Sequence, residues 1–327
     1  MQSITAMGIS MVSALQLDAT GKIGNWRDSR PVFLLNFKDG SKLVVKAEIR
    51  SMVGKSTPQS VQWGGRMMKQ VSNPIEAAAL SETEMRILGN LGVWKYCNGQ
   101  IGERTREYLI DLMKSGLFSF FKMPFLANLR ALDTMLAKNR GAKVLAKLRN
   151  DRSVLVGLGQ IVAVDLFIGN GDRFGSTGRV VNEGNVIFQK NADKTYTPVG
   201  LDFFQAQGQA ANLYKAPPDD WAGVILGTQV QSSRLTQFAT NAIDSLNEVF
   251  ANALAGTITA QDLMPSICIG RFTAGLREGA ATLHTFLRQK MDAGERLPSG
   301  VVTRMALLGW ADPNGGTQTR GWTQGRV

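Results

Sequence analysis

"FIGNGDRFGSTGRVVNEGNVIF", residues 167–188, decides how this chain is read. A long apolar, helix-like run ends at Gly169, and an Asp-Arg pair, Asp172 and Arg173, follows inside a glycine-bounded loop. Asn185 stands thirteen residues after Asp172, at the mouth of a second apolar run. Taken alone, an Asp before an Arg in such a loop caps a turn, and an exposed ion pair contributes at most about 1 kcal/mol. The loop gains meaning from what flanks it.

Beyond it, "NVIFQ" and "TPVGLDFF" read as two short strands separated by the turn "KNADKTY", and the second ends in Asp202. Far upstream, "RPVFLLNFKDGSKLVVKAE" reads as a hairpin turning at Lys38-Asp39-Gly40-Ser41, with Lys46 inside its second strand. "SALQLDATGKIGNWRDS" supplies a preceding strand and turn. Residues 51–72, rich in Gly, Ser and Gln, read as an irregular insertion. A helix is expected from Asn73-Pro74 to Gly92, with Glu84 on or near its apolar face and Glu82 to one side. After "VWKYCNGQIGERTREYLIDLMKSG", residues 93–116, the composition turns helical up to about residue 168, and again from about 218 to 310. The expected organisation is a β-rich lobe over 1–112, a helical lobe over 113–310 and a polar, glycine-rich tail over 311–327.

Composition limits the chemistry. Two cysteines and a single histidine, His284, make a Cys/His zinc site improbable and remove most histidine catalysis. A helical pattern surrounds His284, so a half-buried structural histidine is expected there. A net charge of +11 favours an anionic partner, and the densest basic stretch is 122–152. Apolar residues recur there at helical spacing without interleaved aromatics, which reads as an amphipathic helix pair with a solvated basic face before it reads as a nucleic-acid site. The apolar runs fall short of a clean membrane span. The N-terminus carries no basic region before its mildly apolar part, so the expectation is a cytoplasmic product, with specialised secretion into a host cell as the alternative.

The residue types in this order suit phosphoryl transfer, which needs a cation on the nucleotide phosphates, oxygen ligands for magnesium and a carboxylate to orient the acceptor hydroxyl. Lys46 would take the α- and β-phosphates, with Glu84, or Glu82 close behind, as the acid that holds it. Asp172 would take or orient the acceptor proton, and Arg173 would neutralise developing charge or brace the loop. Asn185 and Asp202 would offer hard oxygen ligands to magnesium, with Asn182 as a rival to Asn185.

The succession "VVK", "GNGDR", "GNVIF" and "GLDF" resembles the atypical protein-kinase-like group that includes phosphoinositide kinases, and within it the actin-fragmin-kinase-like catalytic domains. The resemblance is anchored by these four short motifs and implies an α+β, two-lobed protein-kinase-like fold, with a small β-rich N-lobe, a larger helical C-lobe and ATP between them. It assigns Lys46 to the phosphates, Asp172 to the catalytic carboxylate, and Asn185 and Asp202 to Mg2+. The chain departs from common protein kinases in three ways: the long gap from Asp172 to Asn185, the lack of a G-x-G-x-x-G loop before the hairpin, and "DFF" after the last strand. The first expectation is a protein Ser/Thr kinase acting on a protein such as actin. The alternatives are a lipid or small-molecule kinase, an AMP-transferring enzyme, and a non-enzymatic basic scaffold or nucleic-acid-binding protein. The segment after Asp202 has only Lys215 as a basic residue, which weighs against a phosphoinositide grip there.

Overall fold

A computed structural model describes residues 17–22, 32–37, 40–49, 57–72, 77–81, 83–84, 118–137, 140–201 and 232–310. The described structure is α+β and packs as two compact units, the first comprising Met1–Gly65 with Ile75–Leu126, the second Arg66–Pro74 with Ala127–Val327. The expected lobe boundary at 112/113 and the tail over 311–327 lie outside the described residues.

The first unit is built on a five-stranded antiparallel sheet in the order β1-β2-β3-β5-β4. Its strands are β1 (Leu17–Lys22), β2 (Val32–Phe37), β3 (Lys42–Ile49), β4 (Ala78–Ala79) and β5 (Phe118–Pro124). The expected hairpin is β2 and β3, with Leu34 opposite Val44, and the preceding strand is β1. Leu43 and Val45 on one face of β3 and Lys46 on the other are all buried, so this central strand is buried on both faces, as are Phe120, Phe121 and Met123 of the neighbouring β5.

Three expectations are corrected here. Within the stretch read as an irregular insertion, Thr57–Met68 is a helix, α1, which buries Val61, Trp63, Met67 and Met68. Trp63 and Met67 lie roughly opposite Val61 and Met68, so burial is not confined to one helical stripe, and Pro58 in the first turn was the local signal that the Gly and Gln content obscured. Where the Ala-rich run promised a helix from residue 73, Ala78 and Ala79 instead pair with Lys122 and Phe121 of β5. A sheet partner outweighs alanine's helix propensity; 83–84 are helical, and residues 73–76, 82 and 85–92 of the expected helix lie outside the described residues. The third correction is β5 itself, an aromatic strand inside a region read as helical.

The second unit carries β6 (Leu129–Ala131), α2 (Leu132–Ala137), α3 (Gly141–Asn150) and α4 (Arg152–Ile168). After the loop come β7 (Ile187–Lys190) and β8 (Tyr196–Val199), which with β6 form a three-stranded antiparallel sheet. Among the described residues three further helices follow: α5 (Ser232–Ala253), α6 (Ile267–Asp292) and α7 (Ser299–Leu307). The helix pair expected in the basic stretch corresponds to α2 and α3 only in part, because the stretch opens as strand, with Lys122 buried in β5 and Arg130 in β6, and α2 (LDTMLA) carries no basic residue. No described helix is long and apolar enough to cross a membrane.

α4 is the axis of this unit, with twelve of its seventeen residues buried. Asp151 caps its start, accepting from Ser153 N at 3.0 Å, and Gly169, at φ 82°, ends it in the left-handed conformation that a side chain would resist. α6 lies close against it at Gly275, where an added Cβ would stand 2.1 Å from the Val156 carbonyl oxygen. His284 of α6 is half-buried, as expected, beside the Trp310 ring and carbonyl.

Gly275→Ala should therefore destabilise the protein by about 2 kcal/mol or more, because backbone must move to admit the methyl. Gly270→Ala, at an exposed helical position with open space around it, should be neutral or stabilising by up to about 1 kcal/mol. Urea denaturation of both variants checks this. Burial holds the His284 pKa below its ordinary 6.5. The unfolded chain therefore takes up the proton first, and stability present above pH 6.5 declines as the pH falls through the lower folded value. His284→Phe should flatten that part of the unfolding-midpoint profile.

Candidate active site

The loop after α4 is organised by a buried carboxylate, Asp165. Its backbone carbonyl accepts from Gly169 N at 2.9 Å and Asn170 N at 2.8 Å, which closes the helix end. Its side chain accepts from Asn170 Nδ2 at 2.8 Å through Oδ1 and from Arg173 Nη1 through Oδ2. Asp165 and Arg173 are 2% and 1% exposed, so each charge relies on the other. Burial pushes the Asp165 carboxyl above its ordinary range, against the opposing pull of Arg173 and Asn170.

Arg173 then reaches two more places. Its Nε donates to the Asn185 carbonyl at 2.7 Å, and its Nη2 donates to the carbonyl of Leu201, the residue before Asp202. One guanidinium thus joins the helix end, the turn leading into β7 and the segment leaving β8. Asp172 is half-buried. Its N–H donates to Asn170 Oδ1 at 3.3 Å, and its Oδ2 accepts from Asn185 Nδ2 at 2.6 Å.

The long gap between Asp172 and Asn185 is taken up by a small hairpin. Phe174 and Val180 form an isolated antiparallel bridge, Gly175 N donates to Arg179 O at 2.8 Å, and Val181 N donates back to Arg173 O at 3.1 Å. The chain then enters a 3-10 turn, Glu183–Asn185, whose N-cap is Asn182, its side chain accepting from Gly184 N at 2.9 Å. Of the two rival asparagines, Asn185 is the one brought to Asp172, while Asn182 is exposed and occupied with capping.

In the first unit, Lys46 is 7% exposed in β3, opposite Phe121. Lys122 lies opposite Val45, and because residues directly opposite share a face and faces alternate, the two lysines project from opposite faces of the sheet. Glu84 goes with Lys122: Lys122 Nζ donates to Glu84 Oε1 at 2.7 Å, with both side chains at or below 4% exposure. Glu84 also closes a reciprocal cap, accepting from Ser81 N at 2.8 Å while its own N–H donates to Ser81 Oγ at 3.2 Å. Glu82 and Asp202 lie outside the described residues.

Sequence reasoning missed Lys122, Asp165 and Asn170. Two of them left a signal, a lone charge inside "FSFFKMP" and a lone carboxylate inside "VAVDLFI". Charges in such runs are buried only when paired. The S-x-x-E pattern of Ser81 and Glu84 was equally legible.

No protein-family model and no curated protein matches the chain. Three solved structures similar to it are kinases or pseudokinases. An apo pseudokinase has a TM-score of 0.34 and 11% identity, over 82% of this chain and 91% of that one. The Golgi casein kinase with Mn/ADP bound has a TM-score of 0.32 and 10% identity, over 86% and 76%. The pseudokinase domain of BIR2, an immune regulator of the RLK/Pelle family, has a TM-score of 0.34 and 11% identity, over 84% of each chain. Likeness of this size assigns neither activity nor substrate.

Arg173→Met should leave the Asp165 carboxylate buried without its cation and cost about 3–5 kcal/mol. Adding Asp165→Leu should recover much of that loss. Urea midpoints of the single and double variants give the comparison.

Proposed function

We propose that the chain is an ATP- and Mg2+-dependent phosphotransferase with a protein-kinase-like fold, acting as a protein Ser/Thr kinase of the actin-fragmin-kinase-like kind. The observation that carries this reading is the 2.6 Å contact from Asn185 Nδ2 to Asp172 Oδ2, made across thirteen residues of chain and braced by a buried arginine. A surface turn needs no such brace.

In this reading Asp172 accepts a hydrogen bond from the acceptor hydroxyl and aligns its oxygen with the γ-phosphorus of ATP. The new P–O bond forms as the bond to the β,γ-bridging oxygen breaks, ADP leaves, and the hydroxyl proton passes to Asp172. Arg173 touches no reacting atom and is a positioning residue. Among the described residues no three His, Cys, Asp or Glu side chains converge on a metal. Asn185 nevertheless fits a hard cation, since spending Nδ2 on Asp172 leaves its amide oxygen as the donor. Asn185 and Asp202 would hold Mg2+, which would neutralise charge on the transferring phosphates. Lys46 is assigned to the α- and β-phosphates.

A second reading, a kinase-like scaffold without transfer, draws on one observation. The carboxylate first expected to hold the phosphate lysine, Glu84, is bonded to Lys122. Lipid or small-molecule phosphorylation and AMP transfer are alternatives that the labelling pattern separates.

Wild type and Asp172→Ala, given γ- or α-labelled ATP with Mg2+ and with or without actin, test the proposal. Transfer of the γ label that drops on the order of 10²–10⁴-fold in Asp172→Ala supports phosphotransfer, and label on actin supports that acceptor. Transfer of the α label indicates AMP transfer. Equal γ transfer by both proteins overturns the assignment of Asp172, and no label from either position, with either protein, favours the scaffold.

A further inference from the structure

The hairpin between Asp172 and Asn185 does not stand free. Its outer side is docked along α5 by a row of residues spaced at three and four. Asn241 Nδ2 donates to the Thr177 carbonyl at 2.7 Å, and Ser245 Oγ accepts from Val180 N–H at 3.0 Å. Glu248 pairs with Arg179 at 2.5 Å. These positions share one face of α5. The backbone is drawn in as well. Gly178 sits at φ 90°, and an added Cβ there would stand 2.5 Å from the Phe238 carbonyl oxygen.

The three contacts differ in weight. Both Arg179 and Glu248 are more than half exposed, so their pair contributes little. Ser245 is 5% exposed, and its hydroxyl satisfies a backbone N–H at the base of the hairpin, one residue before the bond from Val181 N to Arg173 O. Removing that oxygen strands a donor next to the limb that leads to Asn185. Arg173 fixes the Asn185 carbonyl but makes no bond to its amide group, so the approach of the side chain to Asp172 depends on the course of the limb before it.

We propose that Ser245 and Asn241 of α5 are positioning residues for the Asp172–Asn185 pair, acting through the docked hairpin and without touching a reacting group. The long spacer is then a strut rather than slack, and α5 sets the geometry from outside the loop. The catalytic consequence rests on the phosphotransfer reading, whereas the geometric claim does not.

The test compares wild type, Ser245→Ala, Asn241→Ala and the conservative Ser245→Thr in the full chain. One readout is the Asn185 side-chain NH2 signal in 15N-correlated NMR spectra, assigned by its loss in Asn185→Asp. The other is kcat and KM for ATP, with urea midpoints confirming that each variant is folded under the assay conditions. Ser245→Ala should move the Asn185 signal toward that of a solvent-exposed amide and lower kcat on the order of 10–100-fold, with KM for ATP within about twofold. Asn241→Ala should do the same to a smaller degree, and Ser245→Thr should restore both readouts. An Asn185 signal unmoved in Ser245→Ala overturns the proposal. A signal that moves while kcat stays at the wild-type value overturns the catalytic consequence and leaves phosphotransfer standing. A signal that moves in a chain whose wild type transfers no phosphate supports the geometric claim and refutes the phosphotransfer reading instead.

Discussion

A single buried ion pair, Asp165 with Arg173, holds the second unit's loop together. Its two charges sit where water is absent, and desolvation on that scale is tolerated only when the partners are close and their remaining hydrogen-bonding groups are filled. Both conditions are met: Asp165 also takes the Asn170 amide, and Arg173 also donates to the carbonyls of Asn185 and Leu201. The pair is therefore a junction that fixes the end of α4, the entry to β7 and the exit from β8 with one planar group. Replacing Arg173 by lysine would keep the charge but lose the fork that reaches three acceptors at once.

With that junction in place, Asp172 is held beside Asn185. Its position follows from the backbone on either side, and its carboxylate is left to meet Asn185. The spacing between these two residues, which departs from the common kinase pattern, has a physical account. The intervening residues fold back on themselves and lean on α5, so the ends of the insertion come together as they would in a shorter loop. Loop length alone costs little extra closure entropy, and docking removes most of the freedom that remains.

The first unit applies the same rule to a different pair. Lys122 and Glu84 are buried together, and the Ser81 cap fills the carboxylate's second oxygen. Residue types alone made Glu84 the natural partner for Lys46. Strand register decided otherwise, because Lys46 and Lys122 leave opposite faces of one sheet and Glu84 lies with Lys122. That pair braces β5 against the segment after β4.

What the sequence determined by itself was local. The hairpin of β2 and β3, the helix that ends at Gly169, the glycine-bounded loop and the pair β7 and β8 were legible because each is written in nearest-neighbour chemistry: turn residues, apolar periodicity and a left-handed glycine. Asp172, Asn185 and Arg173 were legible as candidates for the same reason. Tertiary structure alone decided that Ala78 and Ala79 pair as a strand and that Asn185 rather than Asn182 meets Asp172. It also decided which lysine Glu84 serves and that Ser245 supports the loop from 60 residues beyond Asn185. Each of those outcomes depends on a partner far away in the chain, a strand to pair with, a charge to bury or a helix to lean on, and no local pattern carries the energy of a contact its neighbours do not make.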